Sequence, residues 1–398
     1  MSKYGFAVVL GVADAAVSKR LEGHFQADLQ SLVSDAPSRT CIVERRCAGI
    51  TKQGQPCTIS TSTVGRVKRK ARTLLQGERF CAFHMSQAPN RAKEIPATLF
   101  DAPASSPVPL RDWTKDVLDE LGEGGRLHGR GLAHGRFAWE CRMLPQVKQC
   151  FSYLHGTTDL VVGLDMPFFA PTGAKASRKN KAWPHVDQNE NAGLRRRCYQ
   201  SVLYVWSAEG SGASTTVLLP RSHRDFYKRI MNDSRCPSTG HFVMLERLAD
   251  STELKTTFMK GARRIPVPAG ALLLWDSRTT HQGWDGGPRL AQPICWEPRA
   301  WRSSDALERK RRCCVLGIAT SHYASLGQLH PSLCETPFLP RPLPVTLPGH
   351  GELQLRPTLR PVALAAPYTV ATAWRSFGDG KNNSGLAEAV TAKIGNSL

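Results

Sequence analysis

Two histidines and an aspartate have the residue types and the spacing of a metal site. His185 and Asp187 are two residues apart in the stretch Lys-Ala-Trp-Pro-His-Val-Asp, residues 181–187. On a strand, residues i and i+2 point to one face, so an imidazole and a carboxylate can reach a single ion. His281 follows an apolar run that begins at Gly270. Two histidines and one carboxylate on one face of an octahedron predict an oxygen-activating iron(II) site with three open positions.

The open positions indicate the cosubstrate. The keto oxygen and the adjacent carboxylate of 2-oxoglutarate would occupy two of them and dioxygen the third, while the far carboxylate requires an arginine. Arg289, at the start of the strand after His281, is our first candidate, and Arg299 is the second. Gln200 could hydrogen-bond the cosubstrate, or it could be an ordinary inward-facing polar residue. His223, in a Ser-His pair, is expected to shape a turn before a helix rather than to bind metal.

A second group of ligand residues predicts a structural zinc site. It contains three thiolates and one imidazole, enough for a closed tetrahedral site: Cys47, Cys57, Cys81 and His84. The Cys81-x-x-His84 pair has spacing typical of a zinc turn, whereas the spacing from Cys47 to Cys57 is wide. A set of unrelated reduced cysteines is the alternative, but an insertion this short needs a metal to fold.

Charge and composition limit the partners and the compartment. The chain of 398 residues has 53 Lys and Arg against 33 Asp and Glu, a formal net charge of +20. This favours anionic partners such as nucleic acid, phosphorylated metabolites or acidic surfaces, and hence a small-molecule or anionic substrate. The alternative is that the charge serves only solubility. The basic run at residues 66–72 could contact phosphates or direct the chain to the nucleus, although a solvated loop is the alternative. With no apolar leader and no apolar run of membrane-spanning length, we expect an intracellular protein, cytoplasmic or nuclear, and no membrane partner.

The elements that must position the iron ligands are short strands preceded by helices. Helical spacing is present at residues 14–33, 113–121 and 144–154. Strand-like runs occupy residues 5–10, 159–165, 201–206, 215–219, 241–245, 271–275 and 292–296. This order predicts an α+β fold that is mainly β with flanking helices, built on an antiparallel sandwich or barrel.

Composition divides the chain into five segments. These are a strand and helix of the oxygenase domain at 1–40, the zinc-binding insertion at 41–87, an Ala-, Pro- and Ser-rich linker at 88–109, the β core at 110–330 and a Pro-rich extension at 331–398.

The ordered motifs resemble the phytanoyl-CoA dioxygenase family of iron(II)- and 2-oxoglutarate-dependent oxygenases. The likeness rests on His185-x-Asp187, the Leu-Pro-Arg-Ser-His run at 219–223, residues 270–276 with His281, and Arg289, and it covers residues 3–35 and 110–325. One departure is Arg221, which stands where the family usually has glycine. The resemblance implies a double-stranded β-helix core of jelly-roll or cupin type. It also implies oxidative decarboxylation of 2-oxoglutarate to succinate.

Two functions follow from these features. The first is hydroxylation of an unidentified substrate with release of succinate and carbon dioxide; Asp187 favours hydroxylation because related halogenases lack this carboxylate. The alternative is a non-enzymatic protein that binds nucleic acid or another protein through the zinc module and the basic run, with the β core as a scaffold.

Overall fold

The computed structural model describes residues 1–35, 53, 72–73, 79–80, 106–122, 125–171, 183–284, 286–328 and 343–355. The proposed zinc ligands Cys47, Cys57, Cys81 and His84 lie outside these residues, as does almost all of the basic run. Within residues 41–87, the segment expected to bind zinc, the structure describes one short strand pairing, between β3 (Arg72–Thr73) and β4 (Arg79–Phe80).

Seven α-helices occur in the described residues, mostly on the N-terminal side of the strands. They are α1 (Ala15–Ser31), α2 (Lys115–Asp119), α3 (Arg136–Met143), α4 (Pro145–His155), α5 (Asp225–Met231), α6 (Ser251–Gly261) and α7 (Ser304–Leu316). None of these helices is long and apolar enough to cross a membrane.

Local sequence sets the helix ends. Asp14 caps α1 by accepting a hydrogen bond from the Val17 N–H at 2.7 Å. Pro145 occupies the first turn of α4, where its missing N–H costs nothing, and Gly156 ends that helix in the left-handed conformation at φ 66°. These two helices begin within one residue of the starts expected from the sequence.

The remaining strands are short, as the sequence predicts. They are β1 (Phe6–Val9), β2 (Val33–Asp35), β5 (Leu160–Val162), β6 (Phe168–Ala170), β7 (His185–Val186), β8 (Tyr199–Tyr204), β9 (Thr215–Leu218), β10 (Val243–Met244), β11 (Arg263–Arg264), β12 (Ala271–Asp276), β13 (His281–Trp284), β14 (Arg289–Ile294), β15 (Trp296–Pro298), β16 (Leu343–Leu347) and β17 (Gly351–Leu355).

Two antiparallel five-stranded sheets form the β core. The major sheet has the order β1-β12-β8-β14-β6, and the minor sheet has the order β10-β7-β13-β9-β11. In both sheets, no strand pairs with the strand directly before or after it in the sequence. The chain therefore crosses repeatedly between the sheets. The expected α+β class with flanking helices is confirmed, and the two sheets are consistent with a jelly-roll-like fold.

The centre of the major sheet is apolar on both faces. Leu272 and Leu274 of β12 join the large cluster that contains the α1 and α3 side chains, whereas Leu273 and Trp275 join the cluster on the opposite face. Because both faces are covered, β12 is a continuous apolar run instead of an alternating one. Its six residues pair in full with β8, which gives the site a rigid wall.

Part of the Pro-rich extension returns to the start of the chain. Strands β16 and β17 pair with each other, and β17 pairs with β2 directly after α1. Leu347 and Leu355 are buried in the large apolar cluster. This segment therefore contributes to the apolar cluster that contains the buried side chains of α1.

The Ser-His pair after β9 lies in a turn before α5. Ser222 donates its hydroxyl to the Leu219 carbonyl at 2.7 Å and accepts the Thr280 N–H at 2.8 Å. Arg221 has φ 67°, the left-handed region in which glycine has no steric penalty. This backbone angle accounts for the glycine that the resembling family usually carries here.

Candidate metal centre

The three candidate iron ligands lie on or directly after strands of the minor sheet. His185 of β7 and His281 of β13 are direct cross-strand partners. Asp187 follows β7, where its N–H donates to the Ser277 carbonyl at 3.0 Å. The strand pairing therefore brings His281 to His185 and Asp187, which lie more than 90 residues earlier in the sequence.

The ligand atoms of this cluster converge on one point. Nε2 of His185 is 3.5 Å from Oδ1 of Asp187, and Nε2 of His281 is 3.2 Å from Oδ2 of Asp187. All three ligand atoms lie within 4.8 Å of one another. In the described part of the chain, this is the group of three His, Cys, Asp or Glu residues able to hold a metal ion.

Main-chain carbonyls orient both imidazoles. Nδ1 of His185 lies 3.3 Å from the Trp183 carbonyl, and Nδ1 of His281 lies 2.9 Å from the Thr279 carbonyl. A protonated Nδ1 donates to such a carbonyl and leaves Nε2 as the free ligand atom. The ring of Trp183 also stacks on His185, with centroids 4.9 Å apart.

Asp187 is held by three further groups. Gln200 donates to its Oδ2 at 3.0 Å, so this amide contacts the candidate iron ligand itself. The Asp187 carbonyl accepts the Tyr323 hydroxyl at 2.7 Å and contacts Nε2 of His322 at 3.2 Å. Together they fix the loop that presents the carboxylate.

The protonation states suit metal binding. Burial and the neighbouring His281 lower the pKa of His185 to about 4, so its imidazole is neutral at pH 7. Burial alone would raise the pKa of Asp187, but its interactions with the imidazoles of His185, His322 and His281 hold it well below its ordinary value. A neutral imidazole and an ionised carboxylate are the forms that bind a metal.

A cavity of about 640 Å³ opens beside the cluster and is lined by both sheets. Its walls are largely apolar and aromatic, and Trp183, Phe242 and Trp275 contribute the rings nearest to the ligands. This volume is within the range of small-molecule sites. The cavity can hold a dicarboxylic cosubstrate together with part of a second molecule.

Arg289 enters the cavity from the first residue of β14. Its guanidinium lies over the rings of Phe168 and Tyr204, with centroid distances of 4.4 and 5.4 Å, and Nη2 is 3.4 Å from the Tyr204 hydroxyl. Nε is buried and has no hydrogen-bond partner among the described residues. A buried guanidinium nitrogen without a partner fits a carboxylate ligand, as the far end of 2-oxoglutarate requires.

Arg299 lies elsewhere. Its Nε binds Oδ1 of Asp159 at 2.6 Å, and Arg299 is absent from the cavity wall. Of the two candidate arginines, only Arg289 lines the cavity that contains the candidate iron ligands.

Several residues of the site are not recognisable from the sequence. His241, His322 and Asp165 line the same cavity, and Tyr323 binds the main chain of Asp187. Asp165 ends and His241 begins a run expected to be a strand, and each lies just outside the strand that the structure has there. His322 and Tyr323 lie in a loop after α7. None of the four has ligand spacing, so only the tertiary structure places them here.

Comparison with known proteins gives weak similarities. No protein-family model matches the chain. Ava biosynthesis cluster protein O of Aspergillus versicolor is 26% identical over 226 residues, which cover 53% of this chain and 70% of that protein. This identity is too low to establish membership of a family.

Solved structures with some likeness to this chain include the following three. The epimerase SnoN in complex with Fe3+, alpha ketoglutarate and nogalamycin RO has a TM-score of 0.28 and 14% identity, over 41% of this chain and 59% of that one. EvdO2 from Micromonospora carbonacea var. aurantiaca, complexed with 2-oxoglutarate, has a TM-score of 0.31 and 14% identity, over 74% and 86%. GlcNAc Inducible Gene 2 of Candida albicans has a TM-score of 0.37 and 12% identity, over 57% and 67%. Scores this low carry no argument about the activity of this chain.

Proposed function

We propose that this chain is an iron(II)- and 2-oxoglutarate-dependent oxygenase that hydroxylates a small-molecule substrate. One observation carries the proposal. The convergent His185, Asp187 and His281 face the same cavity as Arg289, whose buried Nε has no partner among the described residues. A facial iron site and a carboxylate-binding arginine in one cavity are the two requirements of this cosubstrate chemistry.

Each of these residues has a defined part in the proposed reaction. His185, Asp187 and His281 would hold iron(II), which with dioxygen and 2-oxoglutarate supplies the oxidising power to break a substrate C–H bond, releasing succinate and carbon dioxide. Arg289 would bind the far carboxylate of 2-oxoglutarate and fix its orientation. The rings of Trp275 and Phe168 line the cavity and would help to exclude water from it.

Two features favour hydroxylation of a small molecule. Asp187 supplies a carboxylate ligand, which halide-binding sites of this type lack. The similar protein from Aspergillus versicolor is named for a biosynthesis cluster, which agrees with a small-molecule substrate.

We also propose that Cys47, Cys57, Cys81 and His84 hold one structural zinc ion, and that the basic run at residues 66–72 contacts an anionic partner. Three thiolates and one imidazole leave no open position, so this ion would stabilise its own segment and take no part in oxidation.

Anaerobic titration calorimetry tests the iron and cosubstrate assignments. We expect the protein to bind one Fe(II) and then one 2-oxoglutarate, and we expect His281→Ala to lose iron binding by about 100-fold or more, because two ligands cannot hold the facial arrangement. His24→Ala is the matched control, since His24 pairs with Glu140 away from the cavity. Equal iron binding by both variants would remove His281 from the site.

A further inference from the structure

Asp165 lines the cavity, and its carboxyl group is near enough to the Asp187 carboxylate for their charges to interact. A fully buried arginine contacts its main chain. Nη2 of Arg142 donates to the Asp165 carbonyl at 2.5 Å, and Nε2 of Gln292 donates to the same carbonyl at 3.0 Å. These bonds fix the backbone of Asp165. The residue lines the cavity and is 7% exposed.

The Asp165 carboxylate and Arg142 do not form an ion pair. Both atoms Nε and Nη1 of Arg142 are buried without a hydrogen-bond partner in the part of the chain that the structure describes. The carboxyl oxygens of Asp165 likewise make no hydrogen bond or salt bridge to a described residue; the bonds at Asp165 use its main-chain carbonyl. A direct pair would satisfy both groups, and leaving it unmade costs stability. Buried polar groups that are left unpaired in this way are typical of a site that binds a ligand.

A second polar group without a partner lies in the same wall. The hydroxyl of Ser321 is buried and has no hydrogen bond within the described residues. Leu164 and Thr320 are joined by two hydrogen bonds of 2.9 and 3.0 Å, which bring the next residues, Asp165 and Ser321, to one part of the cavity. We call Asp165 and Ser321 the polar subsite.

The polar subsite lies next to the metal cluster and apart from the arginine assigned to the cosubstrate. His322, the residue after Ser321, contacts the Asp187 carbonyl. Arg289 pairs with Ala170 at the far end of β6, whereas Asp165 precedes the other end of that strand. A molecule bound at the polar subsite can therefore approach the metal without displacing 2-oxoglutarate.

The charges around the polar subsite limit its ligand. Arg126, Arg247 and Arg289 line the same cavity, and Arg142 contacts Asp165. Against them stand the carboxylate of Asp187 and the carboxyl group of Asp165, which is only partly ionised at neutral pH because burial raises its pKa to about 7. A substrate ammonium group would meet an excess of positive charge, whereas a neutral O–H or N–H would meet an acceptor and a hydroxyl.

We propose that Asp165 and Ser321 bind a neutral hydrogen-bond donor of the primary substrate, a hydroxyl or an amide N–H group, and so determine specificity. This proposal rests on the proposed function, because it assigns the second molecule in the cavity. The apolar walls, with Trp183 and Phe242, would take the body of that molecule. A site with buried polar groups rejects an analogue that lacks the donor, since the polar groups are then left unpaired.

Matched pairs of probes test the polar subsite on the full chain loaded anaerobically with Fe(II) and 2-oxoglutarate. The pairs are benzyl alcohol with benzyl methyl ether, and benzamide with N,N-dimethylbenzamide; benzylammonium is the cationic probe. We expect calorimetry to show binding of the alcohol and the amide at least about tenfold tighter than their methylated partners. Asp165→Leu and Ser321→Ala should remove this preference, whereas Asp165→Asn should keep part of it because its amide oxygen still accepts. Asp116→Asn, at an exposed position, should change nothing.

Three results would overturn the proposal. One is a wild-type protein that shows no preference for either donor, including one that binds none of the probes. Another is tighter binding of benzylammonium than of benzyl alcohol. The third is an Asp165→Leu variant with a lower unfolding temperature but an unchanged preference, which would make Asp165 only a counter-ion for Arg142. If Asp165→Leu does not fold, Ser321→Ala decides the outcome. Iron and 2-oxoglutarate binding, measured first in each variant, separates a failure here from a failure of the proposed function.

Discussion

Arg289 is the residue whose replacement should separate cosubstrate binding from metal binding. Its guanidinium is held over Phe168 and Tyr204, and its Nε is buried without a described partner. A lysine supplies only a point charge and cannot bind a carboxylate in a bidentate manner. Arg289→Lys should therefore weaken 2-oxoglutarate binding by about 10- to 100-fold and leave iron binding unchanged.

Arg299→Lys is the control for this substitution, because Arg299 pairs with Asp159 and does not line the cavity. Calorimetric titration of 2-oxoglutarate into the iron-loaded variants checks both. A weaker titration in Arg299→Lys with an unchanged one in Arg289→Lys would reverse the assignment.

His134 should make the stability of the protein depend on pH. It is fully buried with Nε2 2.9 Å from the Ile318 carbonyl, and burial lowers its pKa to about 4. The unfolded chain, with a pKa near 6.5, takes up the proton first as the pH falls. Stability is therefore complete above about pH 6.5 and is lost progressively toward pH 4, by about 2 kcal/mol at pH 5.

Urea unfolding at pH 7.5 and pH 5 measures this loss. His134→Gln keeps a donor for the Ile318 carbonyl but does not titrate, so its free energy of unfolding should fall less between the two pH values than that of the wild type. Equal losses in both proteins would show that other groups dominate the pH dependence.

At the scale of elements, the β16–β17 hairpin should contribute to the stability of the N-terminal helix. Leu347 is 1% exposed in the large apolar cluster, whereas its neighbour Thr346 is exposed. Leu347→Ala should lower the free energy of unfolding by about 2–4 kcal/mol, because it removes buried methyl groups and leaves a cavity. Thr346→Ala on the same strand should cost less than about 0.5 kcal/mol. Chemical denaturation of both variants checks the difference, and equal effects would mean that the hairpin does not pack as described.

The strand elements also show what the sequence could and could not predict. The i, i+2 spacing of His185 and Asp187 and the apolar run of β12 are local signals, and local signals locate the metal cluster well. The short strand expected at residues 292–296 is instead divided at Cys295 between β14 and β15, and β15 pairs with β5. No local sequence pattern predicts that change of pairing strand.

The sequence alone does not show which residues outside the strands approach the cavity in the folded chain. Asp165 and His241 stand at the ends of runs expected to be strands, and His322 lies in a loop after α7. The approach of these residues to the cavity depends on tertiary contacts such as the hydrogen bonds between Leu164 and Thr320. Gln200 was identified as a candidate from the sequence. Its hydrogen bond to Asp187 depends on how the two sheets pack against each other, which sequence spacing alone does not determine. Contacts of this kind require the folded chain.

At the scale of the whole molecule, we expect two metals with separate roles. Purified protein should contain about one zinc in addition to iron, and Cys81→Ser or His84→Ala should lose the zinc while oxygenase turnover largely survives, because a closed site stabilises only its own segment. Elemental analysis of the wild type and both variants checks this. Native protein without zinc would contradict the assignment of Cys47, Cys57, Cys81 and His84.

The central claim is that the cavity converts 2-oxoglutarate with iron and oxygen, and the most direct test is quantitative mass spectrometry of succinate. The full chain would be incubated with Fe(II), oxygen and 2-oxoglutarate, with a small-molecule extract as the source of substrate, beside Asp187→Ala and a metal-free sample. Succinate formation should require both iron and oxygen and should fall by about 100-fold or more in Asp187→Ala, since that carboxylate completes the facial ligand set. Succinate formation that is independent of iron, or undiminished in Asp187→Ala, would contradict the account.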